Sequence, residues 1–276
     1  MYKIAICVRN RLEMTKKCIE GIVRHSKLPH QIYIYDNLTN FREKEHFEFA
    51  YNLYKHGIIT QYTFNTKEST FNAFSKVVAL NQFGHLHQAD PNKKSCEFIL
   101  FIDNDMIVTP DFDVILQKAW AEVRKYMLKN IKIISQVPGG IIKRNPLKVK
   151  IAGFSCESGK AGGSGFWCVQ SNFYDEVGFL PESKFVGINK RHDSSYWNLL
   201  NSSSRGQDYT LGLKHKFCIH CGKYSGSVCN VLTENKNKLN KEKMIFFDEQ
   251  EKNIGNLSFE EFYKKIITDE KLMNDW

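Results

Sequence analysis

Short strand-like runs alternate with amphipathic stretches of helical length over residues 1–135, and this alternation constrains the fold more than any other feature. The strand-like runs, rich in β-branched and aromatic residues, span 3–8, 31–35, 58–63, 97–102 and 131–137. The helical spacing of apolar residues between them predicts helices over 12–25, 42–56, 70–83 and 111–127. This order predicts right-handed crossovers and a mostly parallel sheet with helices on both faces, which is an α/β fold.

The pattern changes after Pro138, where glycine- and serine-rich segments indicate loops and short hairpins. Further helices are predicted over 171–177, 207–216 and 258–268. The segment between the helix at 70–83 and the strand at 97–102 has no helical pattern and is expected to be irregular. No internal repeat and no clear linker divides the chain, so one main domain is expected.

Composition limits the class of protein. The chain has 276 residues, is 42% hydrophobic and carries a formal net charge of +9, which favours anionic partners or simply aids solubility. No run approaches 18 apolar residues, so we expect a soluble, cytoplasmic protein. Its eight cysteines fit buried free thiols. The CIHC segment at 218–221 lacks the second close pair that a structural zinc site would need.

Acidic side chains follow two of the predicted strands. Asp36 ends the second, and Asp103 and Asp105 end the fourth, an apolar run that begins at Phe98. Ligands of open parallel sheets bind beyond the carboxyl ends of the strands, and two carboxylates one residue apart can hold Mg²⁺ or Mn²⁺. The alternative is an exposed turn, for which Asp and Asn are also suited. No glycine-rich phosphate-binding loop follows the first strand.

Five segments in order resemble the motifs of nucleotide-sugar glycosyltransferases with the GT-A fold, closest in pattern to glycosyltransferase family 2. They are IAICVRNRLEMTKKCIEGI, IYIYDNLTN, FILFIDNDMIVTPDF, GFWCVQSNFYDEVGFLPE and RGQDYTLGLK. The resemblance implies a GT-A, Rossmann-like sheet with a smaller mixed acceptor-side subregion. It places the glycosyltransferase domain over 1–230, with 1–137 binding the nucleotide-sugar and 138–230 facing the acceptor. A helical extension over 231–276 follows.

The resemblance also assigns roles. Asp36 would contact the nucleobase, and Asp103 and Asn104 would contact the nucleotide. Asp103 and Asp105 would hold Mn²⁺ or Mg²⁺ in the D-x-D motif. Asp208, at the start of the helix predicted over 207–216, would act as the catalytic base of an inverting transfer; the alternative is an ordinary acid at a helix N-terminus.

Other candidates remain open at this stage. Arg9 fits a nucleotide contact or an exposed surface arginine. His220, or less favourably His215, fits a further metal ligand, although a histidine in an apolar strand is more often packed. Trp167 and Gly165 fall where the acceptor loop is expected; the ring fits stacking on a sugar or ordinary core packing.

These observations predict a metal-dependent glycosyltransferase that moves a sugar from a nucleotide-diphosphate donor, favouring a UDP-sugar, to a hydroxyl acceptor. A glycan or lipid-linked glycan is the favoured acceptor, reached without a transmembrane segment and with peripheral membrane contact left open. A hydroxylated DNA base, as for phage enzymes, is the alternative that the net charge suggests. A non-catalytic nucleic-acid-binding protein would explain the charge but not the acids collected at strand ends.

Overall fold

The computed structural model describes residues 1–8, 11–37, 43–65, 72–136, 145–160, 165–179, 200, 204, 207–221 and 249–269. The strands are β1 (Tyr2–Val8), β2 (His30–Asn37), β3 (Gln61–Asn65), β4 (Phe98–Asp103), β5 (Met106–Val108), β6 (Ile133–Gln136), β7 (Asn145–Ile151), β8 (Phe154–Gly159), β9 (Phe166–Gln170), β10 (Thr210–Leu213) and β11 (Cys218–His220). The helices are α1 (Leu12–His25), α2 (Glu43–Lys55), α3 (Asn72–Ala89), α4 (Phe112–Lys125), α5 (Phe173–Val177) and α6 (Phe259–Thr268), with a 3₁₀ turn at Lys93–Ser95.

Nine of these strands form one sheet in the order β3-β2-β1-β4-β9-β6-β10-β8-β7. Strands β8 and β9 run against the rest, and the other seven run in one direction. The predicted mostly parallel α/β sheet is therefore confirmed, and the antiparallel strands lie in the half that follows residue 138. Strands β5 and β11 pair separately as a small antiparallel sheet.

Both faces of the sheet are covered. In β1, Ile4, Ile6 and Val8 face a core that includes apolar residues of α1, α4 and α6. Ala5 faces a second core that includes residues of α3 and α5. Because alternate side chains of a strand point to opposite faces, a strand buried on both faces has the continuous apolar sequence seen here.

The C-terminal described residues pack on α1. Phe259 lies against Gly21, and the side chains of Ile254, Phe262 and Ile266 are at most 2% exposed. Among the helices that the structure describes, none combines the length and apolar character needed to cross a lipid bilayer. The predicted boundary between 230 and 231 lies outside the described residues and remains a prediction.

Two predictions of local structure are wrong. The helix predicted over 207–216 is instead strand β10, Thr210–Leu213, which lies between β6 and β8 and has no exposed face. Residues 84–89, expected to be irregular, continue α3, in which Gly84 allows Tyr174 and Phe179 to approach the helix backbone.

Candidate nucleotide and metal site

The acids predicted at strand ends lie at one edge of the sheet. In the register of β1 with its neighbours, Asp36 on β2 is paired with Val8 and Asp103 on β4 is paired with Cys7. Since neighbouring strands are about 4.8 Å apart, the backbones at Asp36 and Asp103 are separated by roughly 10 Å. This is the carboxyl edge of the parallel strands, where ligands of open α/β sheets bind.

Pairing of β5 with β11 brings His220 to Asp105. His220 is opposite Met106 in the small sheet, and the backbone N–H of Cys221 donates to the carbonyl of Asp105 over 2.8 Å. The Nε2 atom of His220 is 3.3 Å from Oδ2 of Asp105. His220 was therefore the better of the two histidine candidates by position.

A third residue, Arg11, completes this cluster. Its Nη1 donates to Oδ2 of Asp105 over 2.8 Å, from a backbone with φ of +60°. Few non-glycine residues adopt this left-handed conformation, and such residues are concentrated at functional sites. The sequence analysis missed Arg11; its signal was a basic residue directly before α1 on the side of the sheet where Asp103 was already expected.

The cluster keeps a buried carboxylate ionised. Asp105 is 7% exposed, and burial by itself would raise its pKa. The hydrogen bond and charge of His220, followed by those of Arg11, nevertheless lower the pKa of Asp105 to about 2. For His220, burial acts to lower the pKa, but Asp105 and the charge of Asp103 raise it above the ordinary histidine value.

Gln136, which is 2% exposed, fixes the start of β11. Its Oε1 accepts the backbone N–H groups of Phe217 and Cys218, at 2.9 and 3.0 Å. A buried amide at the carboxyl end of β6 thus supports the strand that carries His220. The only sequence signal for Gln136 was a polar residue at the end of an apolar run.

The side chain of Asn104 contacts the first turn of α1. Its Nδ2 donates to Oγ1 of Thr15 over 2.9 Å, and Thr15 in turn donates to the carbonyl of Arg11 over 2.9 Å. Asn104 is 6% exposed. This arrangement supports a structural role for its side chain, which links the D-x-D turn to Arg11; it does not support the predicted nucleotide contact.

Asp36 has a partner that the sequence analysis did not identify. The Tyr62 hydroxyl donates to Oδ2 of Asp36 over 2.9 Å, and Asp36 is 1% exposed. Burial, followed by the nearby charge of Asp36, raises the pKa of Tyr62, so this phenol remains a donor. The period-2 pattern of QYTFN on the neighbouring strand was the available signal.

The donor set fits a hard divalent cation. Asp105 and His220 already converge on one point, with Asp103 at the adjoining end of β4. Within the described ranges, no three His, Cys, Asp or Glu side chains are grouped so as to enclose a metal ion. Mg²⁺ and Mn²⁺ do not need such a cage, because water and phosphate oxygens fill the coordination positions that the protein leaves open.

Asp208 lies at the opposite edge, which corrects its assignment as the catalytic base. Thr210 is level with Ile133, Val169 and Ile99 across β6, β9 and β4. Asp208 is therefore about six residues, or roughly 20 Å along the strands, from the level of Asp103. Its carboxylate instead accepts from Ser158 and Asn145, at 2.8 and 2.6 Å.

Other predicted residues have mixed outcomes. Trp167 is 2% exposed in the core beside α3 and α5, so the core alternative holds and the ring does not offer a sugar-stacking face. Gly165 lies beside the D-x-D turn, where its carbonyl accepts the N–H of Asp103 over 3.0 Å. His215 packs between Phe154 and Phe217. Arg9 lies outside the described residues.

Comparison with known proteins gives a fold and no family. No protein-family model matches the sequence, and no curated protein matches it. Among solved structures, the mannosyltransferase PcManGT from Pyrobaculum calidifontis, in complex with GDP-Man and Mn²⁺, is 10% identical with a TM-score of 0.52. That alignment covers 83% of this chain and 60% of PcManGT.

Two further glycosyltransferase structures are more distant by TM-score. TarS 1–349 from S. aureus with UDP-GlcNAc is 12% identical with a TM-score of 0.47, over 90% of this chain and 71% of that one. GalNAc-T7 with UDP, GalNAc and Mn²⁺ is 11% identical with a TM-score of 0.49, and the alignment covers 98% of this chain and 58% of GalNAc-T7. This chain spans 36% of the longer TarS structure.

At these identities the likeness shows the fold alone. The chain has the GT-A fold, a mixed α/β architecture with a large, mostly parallel sheet, and its structural neighbours are nucleotide-sugar glycosyltransferases. Membership of family 2 is not shown.

Proposed function

We propose that this protein is a metal-dependent glycosyltransferase that uses a nucleotide-diphosphate sugar, with UDP as the nucleotide. The observation that carries the proposal is the convergence of Asp105, His220 and Arg11 at the carboxyl end of β4. A carboxylate held ionised beside a histidine, at the ligand-binding edge of the sheet, is suited to a cation and the phosphates it accompanies.

Each residue would have a separate task. Asp105 and His220 would hold Mn²⁺ or Mg²⁺ together with Asp103, and the bound metal would supply charge neutralisation for the departing diphosphate. Arg11, which contacts Asp105 in this structure, would donate to a phosphate oxygen. Asp36 would accept a hydrogen bond from the nucleobase while Tyr62 holds its other oxygen in place. Gly165 would line the acceptor side.

We also propose a glycan or lipid-linked glycan as the acceptor and inversion at the anomeric carbon. Since Asp208 lies at the far edge of the sheet, we propose that another residue supplies the base that inversion requires. NMR assignment of the product anomer would test the stereochemical part of this proposal. A screen of glycan and hydroxylated-DNA acceptors would test the acceptor class.

Calorimetric titration of UDP into the full chain tests the donor site. With Mn²⁺ present we expect UDP to bind, and with EDTA we expect the affinity to fall by at least tenfold, because a metal held by Asp105 and His220 would neutralise charge on the diphosphate. The Asp105→Asn variant should lose the difference between Mn²⁺ and EDTA. Absence of UDP binding in every condition would contradict the nucleotide assignment, and GDP and CDP would then be titrated.

The matched control is Asp208→Asn. It makes the same chemical change at the opposite edge of the sheet, and asparagine retains an oxygen that can accept from Ser158. We expect this variant to bind UDP with wild-type affinity and wild-type metal dependence. An equal loss in both variants would indicate a general effect on folding and would leave the strand-end site without support.

A further inference from the structure

A basic and apolar patch lies at the edge of the sheet opposite the candidate donor site. Residues 124–132, RKYMLKNIK, contain four cationic side chains and no acid; we name this segment the α4–β6 patch. It leads into β6, where the N–H of Lys132 donates to the carbonyl of Tyr209 over 2.7 Å. Ile133, the first residue of β6, is level with Ile99 and so lies four residues below Asp103. The patch ends just before Ile133, so it is separated from the residues proposed to bind the donor.

The positive charge of the α4–β6 patch is largely unneutralised. Arg124, Lys125 and Lys129 are exposed, and no ion pair involves them in the part of the chain that the structure describes. Lys132 is the exception, since it pairs with Glu176 of α5. Three unpaired cations on one turn attract an anionic partner.

Two apolar side chains project from the same turn. Met127 is 69% exposed and Tyr126 is 43% exposed. The backbone of Met127 has φ of +54°, and the N–H of Leu128 donates to the carbonyl of Val123 over 3.1 Å. This is a helix ending in which glycine is usual at the left-handed position, so a methionine there costs about 1 kcal/mol of folding stability.

A cavity opens beside these residues. It has a volume of about 460 Å³, with Val123, Leu128 and Ile131 among its apolar lining residues and Arg124 and Lys129 among its charged ones. Gln170 and Glu176, the partner of Lys132, also line it. Apolar and cationic side chains next to each other suit a ligand that joins an anionic group to an apolar chain.

From these observations we propose that the α4–β6 patch binds the surface of an anionic lipid bilayer. Clustered lysine and arginine side chains attract anionic headgroups, and exposed apolar side chains among them enter the headgroup region. Nucleic acid would use the cations but would leave Met127 and the apolar side chains that line the cavity without a partner. On a membrane, this contact holds the candidate donor edge away from the lipid, toward soluble donors and toward acceptors that extend from the surface.

Vesicle sedimentation with the full chain tests this proposal without any donor or acceptor. We expect binding to vesicles of equimolar phosphatidylglycerol and phosphatidylcholine, and no binding to phosphatidylcholine alone. Added salt should weaken the binding, because it screens the charges. Equal affinity for the two vesicle types would overturn the proposal, and this result would not bear on UDP binding.

Charge variants locate the contact. Arg124→Gln combined with Lys129→Gln should lower the affinity for anionic vesicles roughly thirtyfold, because each cation near an anionic surface contributes a factor of roughly five. The matched control, Lys55→Gln with Lys264→Gln, removes the same charge from exposed positions on α2 and α6. A comparable loss in the control would show that only net charge matters and would refute the assigned surface.

An apolar variant separates membrane insertion from electrostatic attraction. Met127→Gly should weaken binding to anionic vesicles about fivefold while leaving the fold intact, because glycine suits the backbone at this position. Tyr54→Ser, at a 62% exposed site on α2, should bind as wild type. Full binding by Met127→Gly, or competition by random-sequence duplex DNA that requires Arg124 and Lys129, would assign the patch to a purely anionic partner instead.

Discussion

His87 is a buried histidine whose environment favours the neutral form. Its side chain is fully buried, stacked on Phe83, and its Nε2 is 2.8 Å from the carbonyl oxygen of Ser171, to which it donates. Burial lowers the pKa of His87 below 6.5, and the positive charge of Lys3 acts in the same direction. The stability that neutral His87 contributes is therefore fully present above pH 6.5, and it is lost as the pH falls through the lowered pKa.

We expect His87→Gln to reduce the pH dependence of stability. Glutamine keeps a donor for Ser171 but loses the ring packing on Phe83, so it should cost roughly 1–3 kcal/mol near neutral pH. Below the lowered pKa, His87 of the wild type must be protonated in a buried site, which destabilises the wild type. The difference in unfolding free energy between the wild type and His87→Gln should therefore narrow. Urea unfolding at a series of pH values measures this gap.

The control for this prediction is His56→Gln, because His56 is exposed just after α2. Its difference in unfolding free energy from the wild type should be small. A gap for His87→Gln that stays constant, or widens on acidification, would contradict the assigned role of burial.

Residues of the candidate site differ in how far sequence could predict them. The positions of Asp36, Asp103 and Asp105 followed from strand ends, because parallel strands bring their carboxyl ends to one edge. His220 was only one of two choices, since its approach to Asp105 depends on pairing between segments more than 100 residues apart. Arg11 and Tyr62 were missed because their contacts are also long-range in sequence.

At the scale of elements, β10 explains the main error in the predicted fold. All four of its residues are buried between β6 and β8, so the sequence TLGL does not show the alternation of apolar and charged residues that marks a strand with one solvent-exposed face. A short apolar run of this kind is consistent with either a buried strand or part of a helix, and only pairing with distant strands decides between them. The same error misplaced Asp208. At the start of a helix it was expected at the carboxyl edge of the parallel strands, whereas just before β10 it lies at the opposite edge.

Helix α4 offers a direct test at the scale of elements. Met127 occupies the left-handed position that ends this helix, so Met127→Gly should raise the free energy of unfolding by about 1 kcal/mol. Met127→Ala keeps a Cβ atom and should give no such gain. Urea denaturation of both variants measures the difference, and a loss of stability in the glycine variant would contradict the assigned backbone strain.

At the scale of the whole molecule, the C-terminal segment contacts the same helix as the candidate site. The carboxylate of Glu251, which is 8% exposed, accepts the N–H of Glu13 at the start of α1 over 2.8 Å. Lys17 of α1 donates to the carbonyl of Leu257 over 2.7 Å. Helix α1 follows Arg11 directly, so residues 249–269 support the element that places Arg11 beside Asp105.

This contact predicts that the C-terminal segment unfolds together with the sheet and not as a separate extension. Phe262 is 1% exposed against the core that includes α1, so Phe262→Ala should lower the free energy of unfolding by about 3–5 kcal/mol. Ile267, on the same helix but 42% exposed, provides the control, and Ile267→Ala should change it by less than about 0.5 kcal/mol. Far-ultraviolet circular dichroism and tryptophan fluorescence during urea unfolding should report one shared transition, shifted as a whole by Phe262→Ala.

A separate early transition that alone responds to Phe262→Ala would show that the segment is an independent unit. In that case the position of Arg11 would not depend on residues 249–269.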